Sequence, residues 1–124
     1  MSFANTTENY VMDHIAGTSW TAPTALYIKL HTGDPGEDCT SLPSAETTRK
    51  VVTFGAASGG TVTSNSTASW TSWTAGSETI SHVSIWTHLT AGYPVMYGGL
   101  DSPRDMENDD TLTISSGNLT LSAS

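Results

Sequence analysis

Positively charged residues are scarce in this sequence of 124 residues, which has 4 Lys and Arg against 12 Asp and Glu and a formal net charge of −8. Proteins bind nucleic acid largely through clustered lysines and arginines, which displace counterions from the phosphates. Four cations spread along the whole chain are too few for such a surface. The scarcity therefore predicts that nucleic acid is not a partner.

Cysteine and long apolar runs are scarce as well. The single cysteine, Cys39, cannot form a disulfide within the chain, so the fold must be held by packing alone. No apolar run approaches the roughly 20 residues that cross a bilayer. The start of the sequence lacks the basic residues and apolar core of a secretion signal. We expect a folded chain with no membrane partner.

Hydroxyl side chains supply the polarity that charged residues do not. Only 13% of the residues are charged, whereas 17 Ser and 21 Thr are present. Threonine is branched at Cβ and favours strands, and helices usually draw their solvent face from Glu, Lys, Gln and Arg. The composition therefore favours an all-β protein, and the length suits a single domain.

One short helix is predicted at the start of the chain. Between residues 2 and 17, apolar side chains recur at roughly helical spacing, namely Phe3, Tyr10, Val11 and Ile15. Ser2 or Asn5 could cap the first turn, and Asn5 has a glutamate three residues later, as in a capping box. Gly17 stands where a left-handed residue ends many helices. We predict a helix and lead-in arm over residues 1–23 and a β-sandwich domain over residues 24–124.

Short strands are predicted for the rest of the chain. Leu26, Ile28 and Leu30 alternate with polar or aromatic residues, which is typical of a half-buried strand. The predicted strands cover residues 26–31, 49–54, 61–66, 79–88, 94–100, 111–115 and 118–122, the last two as a hairpin. Residues 32–48 and the acidic residues 101–110 are predicted loops. The pattern predicts an all-β fold, an antiparallel β-sandwich or jelly roll of about 7–8 strands with a short N-terminal helix.

No catalytic site is predicted. Nucleophilic catalysis needs a Ser or Cys with a base placed to activate it, and the sequence has no G-x-S-x-G motif. Ser81 and His82 are sequence neighbours whose side chains should point to opposite faces of a strand. Cys39 has no neighbouring cation in the sequence to lower its pKa. We therefore predict that the protein is not an enzyme.

No metal or cofactor site is predicted either. Asp105, Glu107 and Asp109 have the alternate spacing that begins an EF-hand loop. Asp110, however, stands where that loop requires Gly, and Ser116 where it requires a bidentate Glu. The four histidines lack the paired spacing of zinc sites. The acidic stretch is therefore interpreted as a solvated loop.

Four tryptophans are the strongest functional signal in so small a domain. Indole rings on a β-sandwich can stack on sugars, and either Trp70 with Trp73 or Trp86 beside acidic loops could form such a platform. Indoles also bury large areas in a core or a protein interface. A core or interface role is favoured, and glycan binding stays the alternative.

Several short motifs follow one another in order, and with the N-terminal helix and the lead-in that contains Pro23 they cover nearly the whole chain. They are LHTGDPG at residues 30–36, RKVVTFGAASGGTV at 49–62, ISHVSIW at 80–86, YGGL at 97–100, DTLTI at 110–114 and GNLTL at 117–121. Together they resemble a family of small tailed-bacteriophage virion proteins that are often labelled tail-fibre-like. The resemblance implies a virion structural protein made in the cytoplasm of a bacterial host, and it carries no catalytic residues.

Size narrows the choice of virion part. A fibre that reaches a receptor needs length or a repeated shaft, and the sequence has no internal repeat and no collagen-like or coiled-coil period. We therefore predict a capsid decoration (cement) protein that binds the major capsid protein on the outer surface of the shell. It would act as a homo-oligomer, with a trimer favoured. The alternatives are a tail- or fibre-associated adhesin bound to tail proteins, and a carbohydrate-binding module.

Two segments are predicted to contact the partner. One is the apolar stripe of the helix, with Phe3, Tyr10, Val11 and Ile15. The other is the long loop, with Asp34, Pro35, Leu42 and Pro43. Loops of this length often carry an interaction role.

Overall fold

The computed structural model describes residues 1–123, and within them the chain forms one helix and nine strands. In chain order the elements are β1 (Ser2–Phe3), α1 (Asn5–Ile15), β2 (Leu26–His31), β3 (Lys50–Val52), β4 (Thr61–Thr63), β5 (Ala68–Trp70), β6 (Glu78–Trp86), β7 (Pro94–Met106), β8 (Leu112–Ile114) and β9 (Thr120–Ser122). All strand pairs are antiparallel.

The first layer of the fold is a five-stranded sheet with the strand order β1-β7-β6-β2-β3. The alternation predicted over residues 26–31 is confirmed in β2, where Ile28 and Leu30 are fully buried. Leu30 pairs with Val83 of β6, so apolar side chains of neighbouring strands lie on the same face. This inner face forms one side of the core.

The second layer is a two-stranded ribbon made of β4 paired with β9 and β5 paired with β8. Ser64 marks the join between the two pairs, where its hydroxyl accepts hydrogen bonds from the N–H groups of Gly117 and Leu119, both at 3.2 Å. The predicted hairpin of residues 111–115 and 118–122 is therefore wrong. β8 and β9 lie end to end because each pairs with an earlier strand, and this pairing turns the apolar side chains of both towards the sheet.

The core lies between the sheet and the ribbon. Trp70 and Trp73 are its largest side chains, and Ser72 between them has a φ of +52°, a kink that lets two indoles three residues apart reach the same interior. Apolar residues from both layers surround them, namely Ile28, Leu30, Val52, Ile80, Val83, Ile85, Met96, Met106, Leu112, Ile114, Leu119 and Leu121. Two layers around one core form a β-sandwich, so the predicted all-β class with a short helix is confirmed.

The start of the chain is a strand before it becomes a helix. Phe3 lies in β1 instead of in the predicted helix, and pairing with β7 continues into Ala4, whose N–H donates to the Val95 carbonyl at 2.9 Å. The helix therefore begins at Asn5 with Ala4 as its N-cap residue and no side-chain cap, so the predicted capping is wrong. At the other end the prediction is confirmed, since Gly17 has a φ of +101°.

Strand β7 is longer than predicted. The predicted loop over residues 101–110 is wrong as far as Met106, which ends the strand and is 3% exposed. The Thr79 hydroxyl donates to the Asp105 carboxylate across the strand pair at 2.7 Å. Residues 100–103 form a bulge between the two paired parts of β7. Burial of one apolar side chain thus continues the strand through an acidic stretch.

The long loop over residues 32–48 is confirmed, and it folds over the outer face of the sheet, opposite the core. Pro35, Cys39 and Ser44 are buried within it. The Ser44 N–H donates to the Leu30 carbonyl at 3.0 Å, which fastens the loop to β2. Between the loop and the sheet lies a second, smaller cluster of buried side chains, in which Cys39 of the loop packs with Ala4 and Trp86.

Candidate functional site

Three polar side chains fasten the long loop to the outer face of the sheet. The Trp86 indole N–H donates to Ser84 Oγ at 2.8 Å, and Ser84 Oγ lies 2.7 Å from His31 Nε2. On its other side, His31 Nδ1 lies 2.9 Å from the carbonyl oxygen of Ser41. Because a carbonyl only accepts, Nδ1 carries the proton and the Ser84 hydroxyl donates to Nε2. The neutral Nδ1–H tautomer of His31 therefore gives each donor of this network an acceptor.

Burial favours the neutral form of His31. The side chain is fully buried, and desolvation lowers the pKa of its imidazole below the ordinary value. The hydrogen bond to the Ser41 carbonyl acts in the opposite direction, and the charges of Lys29 and His82 lower the pKa further. Protonation would also make Nε2 a donor, which would leave the Ser84 hydroxyl hydrogen without its acceptor. The hydrogen-bond network and the burial thus both favour the neutral imidazole of His31.

Two of the four cations of the chain meet at Trp86. Arg49 Cζ lies 4.2 Å and Lys29 Nζ 5.4 Å from the centroid of the indole ring. Arg49 Nη1 donates to the carbonyl oxygens of His88 and Ala91, at 2.7 and 2.9 Å. Burial lowers the pKa of both cations. We call Lys29, Arg49 and Trp86 the cationic cluster.

Cys39 belongs to the same loop, and its side chain is fully buried. Desolvation raises the pKa of its thiol to about 12, and the Asp38 carboxylate acts in the same direction. A thiol with this pKa stays protonated at neutral pH and is a poor nucleophile and metal ligand. Cys39 therefore serves packing.

The predicted contact residues near the start of the chain differ in exposure. Thr7 is the buried residue of α1, and its hydroxyl donates to the Pro94 carbonyl oxygen of β7. Ile15 is 73% exposed and Tyr10 37% exposed. Val11 is half-buried, and Phe3 is half-buried against the core. Contact of these residues with a partner stays a prediction.

The predicted contact residues of the long loop also differ. Leu42 is 56% exposed, and Asp34 and Pro43 are exposed. Pro35 is buried, and the Asp34 carboxylate beside it accepts a hydrogen bond from the Gly36 N–H at 2.9 Å. Three of the four predicted residues therefore lie on the surface of the loop, and their contact with a partner stays a prediction.

The three tryptophans considered for core, interface or glycan binding do not lie together. The core holds Trp70 and Trp73, whose indole N–H groups donate to the carbonyl oxygens of Thr48 and Gly76, at 2.8 and 2.9 Å. Trp86 is 9% exposed and lies against two cations on the outer face. The burial of Trp70 and Trp73 leaves no open ring face on which a sugar could stack.

Sequence reasoning missed an aromatic cluster on the surface. The ring centroids of Tyr10 and Trp20 are 5.9 Å apart, and those of Tyr10 and Tyr93 are 4.9 Å apart. The Trp20 indole N–H donates to the Tyr93 hydroxyl at 3.0 Å, across 73 positions of sequence.

Sequence reasoning also missed the cationic cluster. The available signal was the outward position of Lys29 in the alternating pattern of β2.

The structure places the other polar side chains considered for chemistry as follows. Ser81 and His82 do not point to opposite faces, because a register shift in β6 brings Ser81 Oγ to 2.8 Å from His82 Nδ1, so the predicted orientation is wrong. Within residues 1–123, no group of three or more His, Cys, Asp or Glu side chains is placed to hold a metal ion. In the same part of the chain, no helix has both the length and the apolar character needed to span a membrane.

Comparison with known proteins identifies the family. A search among curated proteins found no match. Residues 2–122 match the family described as Podophage GP4 fiber I protein gp80. The match covers nearly the whole chain, as does the ordered set of motifs that resembles tailed-phage virion proteins. The chain therefore belongs to the podophage GP4 fiber I protein gp80 family, a family of tailed-phage virion structural proteins.

Proposed function

We propose that this protein is a structural, non-enzymatic subunit of a fibre on the particle of a tailed phage. The observation that carries the proposal is the match of residues 2–122 to a family whose description names a fibre protein. Membership of that family gives the virion structural role, and the assignment to a fibre is the step that we propose.

The size of the domain limits how it can serve in a fibre. A folded chain of this length has a radius of gyration of about 14 Å, and residues 1–123 form one sandwich with no extended shaft. One copy alone cannot reach far from a particle. We therefore expect several copies, or copies joined to other virion proteins, to build the fibre.

Exposed apolar side chains supply surfaces for such assembly. Met12 and Ile15 are 62% and 73% exposed at the end of α1, and Leu42 is 56% exposed on the long loop. Apolar groups that are exposed together often mark contact with another protein. Ile15→Asp or Leu42→Asp should reduce incorporation into particles, whereas Thr63→Asp, on the exposed side of the ribbon, should leave incorporation unchanged.

The location of the protein on the particle tests the proposal. Gold-labelled antibody against the purified chain would be imaged on intact particles by electron microscopy. Label concentrated on fibres at the tail end supports the proposal. Label spread evenly over the head contradicts it.

Capsid decoration, with the major capsid protein as partner, is the second candidate. It is favoured by the compact sandwich, since a small domain without a shaft suits many equivalent positions on a shell. A trimer at the points where shell subunits meet would then use the apolar surfaces named above. Particles stripped of the protein should in that case lose heat resistance, and a fibre subunit should leave the heat resistance of the shell unchanged.

A further inference from the structure

We infer that the cationic cluster is a carboxylate-binding site that joins one copy of this chain to an acidic segment of the next copy. The inference rests on the proposed function, because it supplies a contact by which copies line up in a fibre. It assigns both a site and a partner to the outer face of the sheet.

The two cations of the cluster have no acidic partner in the part of the chain that the structure describes. Within residues 1–123 neither Lys29 nor Arg49 forms an ion pair, although the sequence has 12 acidic residues to 4 cations. Burial is the main influence on the pKa of each, and the charge of Arg49 further lowers the pKa of Lys29. Two like charges held against one ring are stabilised by an anion that arrives from outside.

The cluster retains hydrogen-bond donors for that anion. Arg49 uses Nη1 for two backbone carbonyl groups, which fixes the guanidinium while Nη2 and Nε remain outside those bonds. Lys29 Nζ adds up to three donors beside it. A guanidinium edge next to an ammonium group fits the two oxygens of a carboxylate. Because the Trp86 ring already positions both cations, binding restricts few additional rotatable bonds of their side chains.

The acidic surface that complements the cluster lies at the other end of the sheet. Its members are the exposed residues Asp105, Glu107, Asp109 and Asp110; we call residues 105–110 the acidic segment. The cluster lies beside Ser84 of β6, whereas the acidic segment adjoins Met106, which pairs with Glu78 at the start of β6. Six strand residues, or about 20 Å, separate the two surfaces.

This separation determines how copies would associate. A site and its complement at opposite ends of one domain cannot meet within the same copy. Contact between copies is therefore heterologous, with the cluster of one copy on the acidic segment of the next, and such contacts can repeat into a row. A row of small domains is what a fibre built from this chain requires.

Peptide binding tests the site without requiring assembly. The probe is a capped peptide with the sequence of residues 105–110, DMENDD, added to the ¹⁵N-labelled full chain, with the Trp86 indole N–H signal as readout. Lys29→Gln should weaken binding about tenfold, the loss of one charge-assisted contact. Lys50→Gln, the same charge change on the neighbouring strand β3, should bind as the wild type does. Equal binding by both variants overturns the inference.

Sedimentation of the full chain tests the partner. Wild-type protein should associate at low salt and dissociate at about 1 M salt, where charges are screened within roughly 3 Å. Lys29→Gln, and separately Glu107→Gln with Asp109→Asn, should weaken association about tenfold, and Lys50→Gln should not. A circular dichroism melt establishes that each variant is folded. If association is unaffected by salt and by the substitutions at Lys29, Glu107 and Asp109, the inference is overturned.

The outcomes separate this inference from the proposed function. If Lys29→Gln weakens association as expected but gold label lies over the head, the site stands and the fibre assignment fails. If the label lies on tail fibres but Lys29→Gln changes nothing, the fibre assignment stands and the site fails. If an acidic polysaccharide such as polygalacturonate binds at the cluster and the peptide does not, the assignment to a second copy is wrong.

Discussion

Ser84 offers the sharpest test of the outer-face network. Its hydroxyl accepts from the Trp86 indole and donates to His31, and the side chain is fully buried. Ser84→Ala leaves both partners buried without a hydrogen bond, at about 1–3 kcal/mol each. We expect the free energy of unfolding to fall by about 3 kcal/mol, a large part of the roughly 5–15 kcal/mol that stabilises a domain.

Urea unfolding followed by circular dichroism measures this loss. With a slope of about 2 kcal/mol/M, the midpoint should move down by about 1.5 M. Ser81→Ala is the matched control, because Ser81 lies on the same strand and is half-buried, and its hydroxyl is hydrogen-bonded to the half-buried neighbour His82 instead of to a buried network. This variant should lose less than about 1 kcal/mol. Equal small losses in both variants would refute the network. A ¹⁵N spectrum showing the proton of His31 on Nε2 would refute the direction of the hydrogen bonds, from Ser84 to His31 and from His31 to Ser41.

Three further predictions follow from buried side chains. Because burial lowers the pKa of His31 in the folded state, unfolding free energy should decrease as pH falls below about 6.5, and His31→Gln should flatten that dependence in urea titrations between neutral and mildly acidic pH. Cys39 gives the opposite pH dependence. Burial raises the pKa of its thiol from 9.0 to about 12, so stability should fall as pH rises above 9.0, and Cys39→Ala should reduce this slope. Trp73→Ala should lose about 3–5 kcal/mol in thermal or urea unfolding, whereas Leu42→Ala, at 56% exposure, should stay within about 0.5 kcal/mol. A Trp73 variant as stable as the Leu42 variant would contradict the two-layer core.

The parts of the fold that sequence predicts well are those set by local pattern. Alternation over residues 26–31 reports a strand with one buried face, and β2 has that form. Gly17 marks the helix end because a left-handed backbone favours glycine whatever the surroundings. The richness in threonine likewise favours strands throughout the chain, and the class of the fold follows from it.

The errors concern which strand pairs with which. Turn residues between β8 and β9 suggest that the chain reverses direction there, but they do not show that each strand pairs with an earlier strand. The Ser64 hydroxyl stabilises that pairing from more than fifty positions away in the sequence. Likewise, charge density over residues 101–110 favours a loop, yet the burial of Met106 outweighs it and continues β7. In both cases the structure is decided by contacts with residues that are distant in the sequence.

The same reason hides the cationic cluster from sequence reasoning. Lys29 lies on β2, Arg49 precedes β3 and Trp86 ends β6, and the order of these strands in the sheet is what brings them together. No spacing motif encodes a contact between them. By contrast, the exposure of Ile15 and Leu42 in the predicted contact segments is a local property that an apolar residue in a polar context already suggests.

The number of copies in the particle tests the assignment to a fibre most directly. Quantitative mass spectrometry of purified particles would give the ratio of this chain to the major capsid protein. A fibre subunit predicts far fewer copies than the major capsid protein has. A copy number comparable to that of the major capsid protein would contradict the fibre assignment and establish capsid decoration in its place.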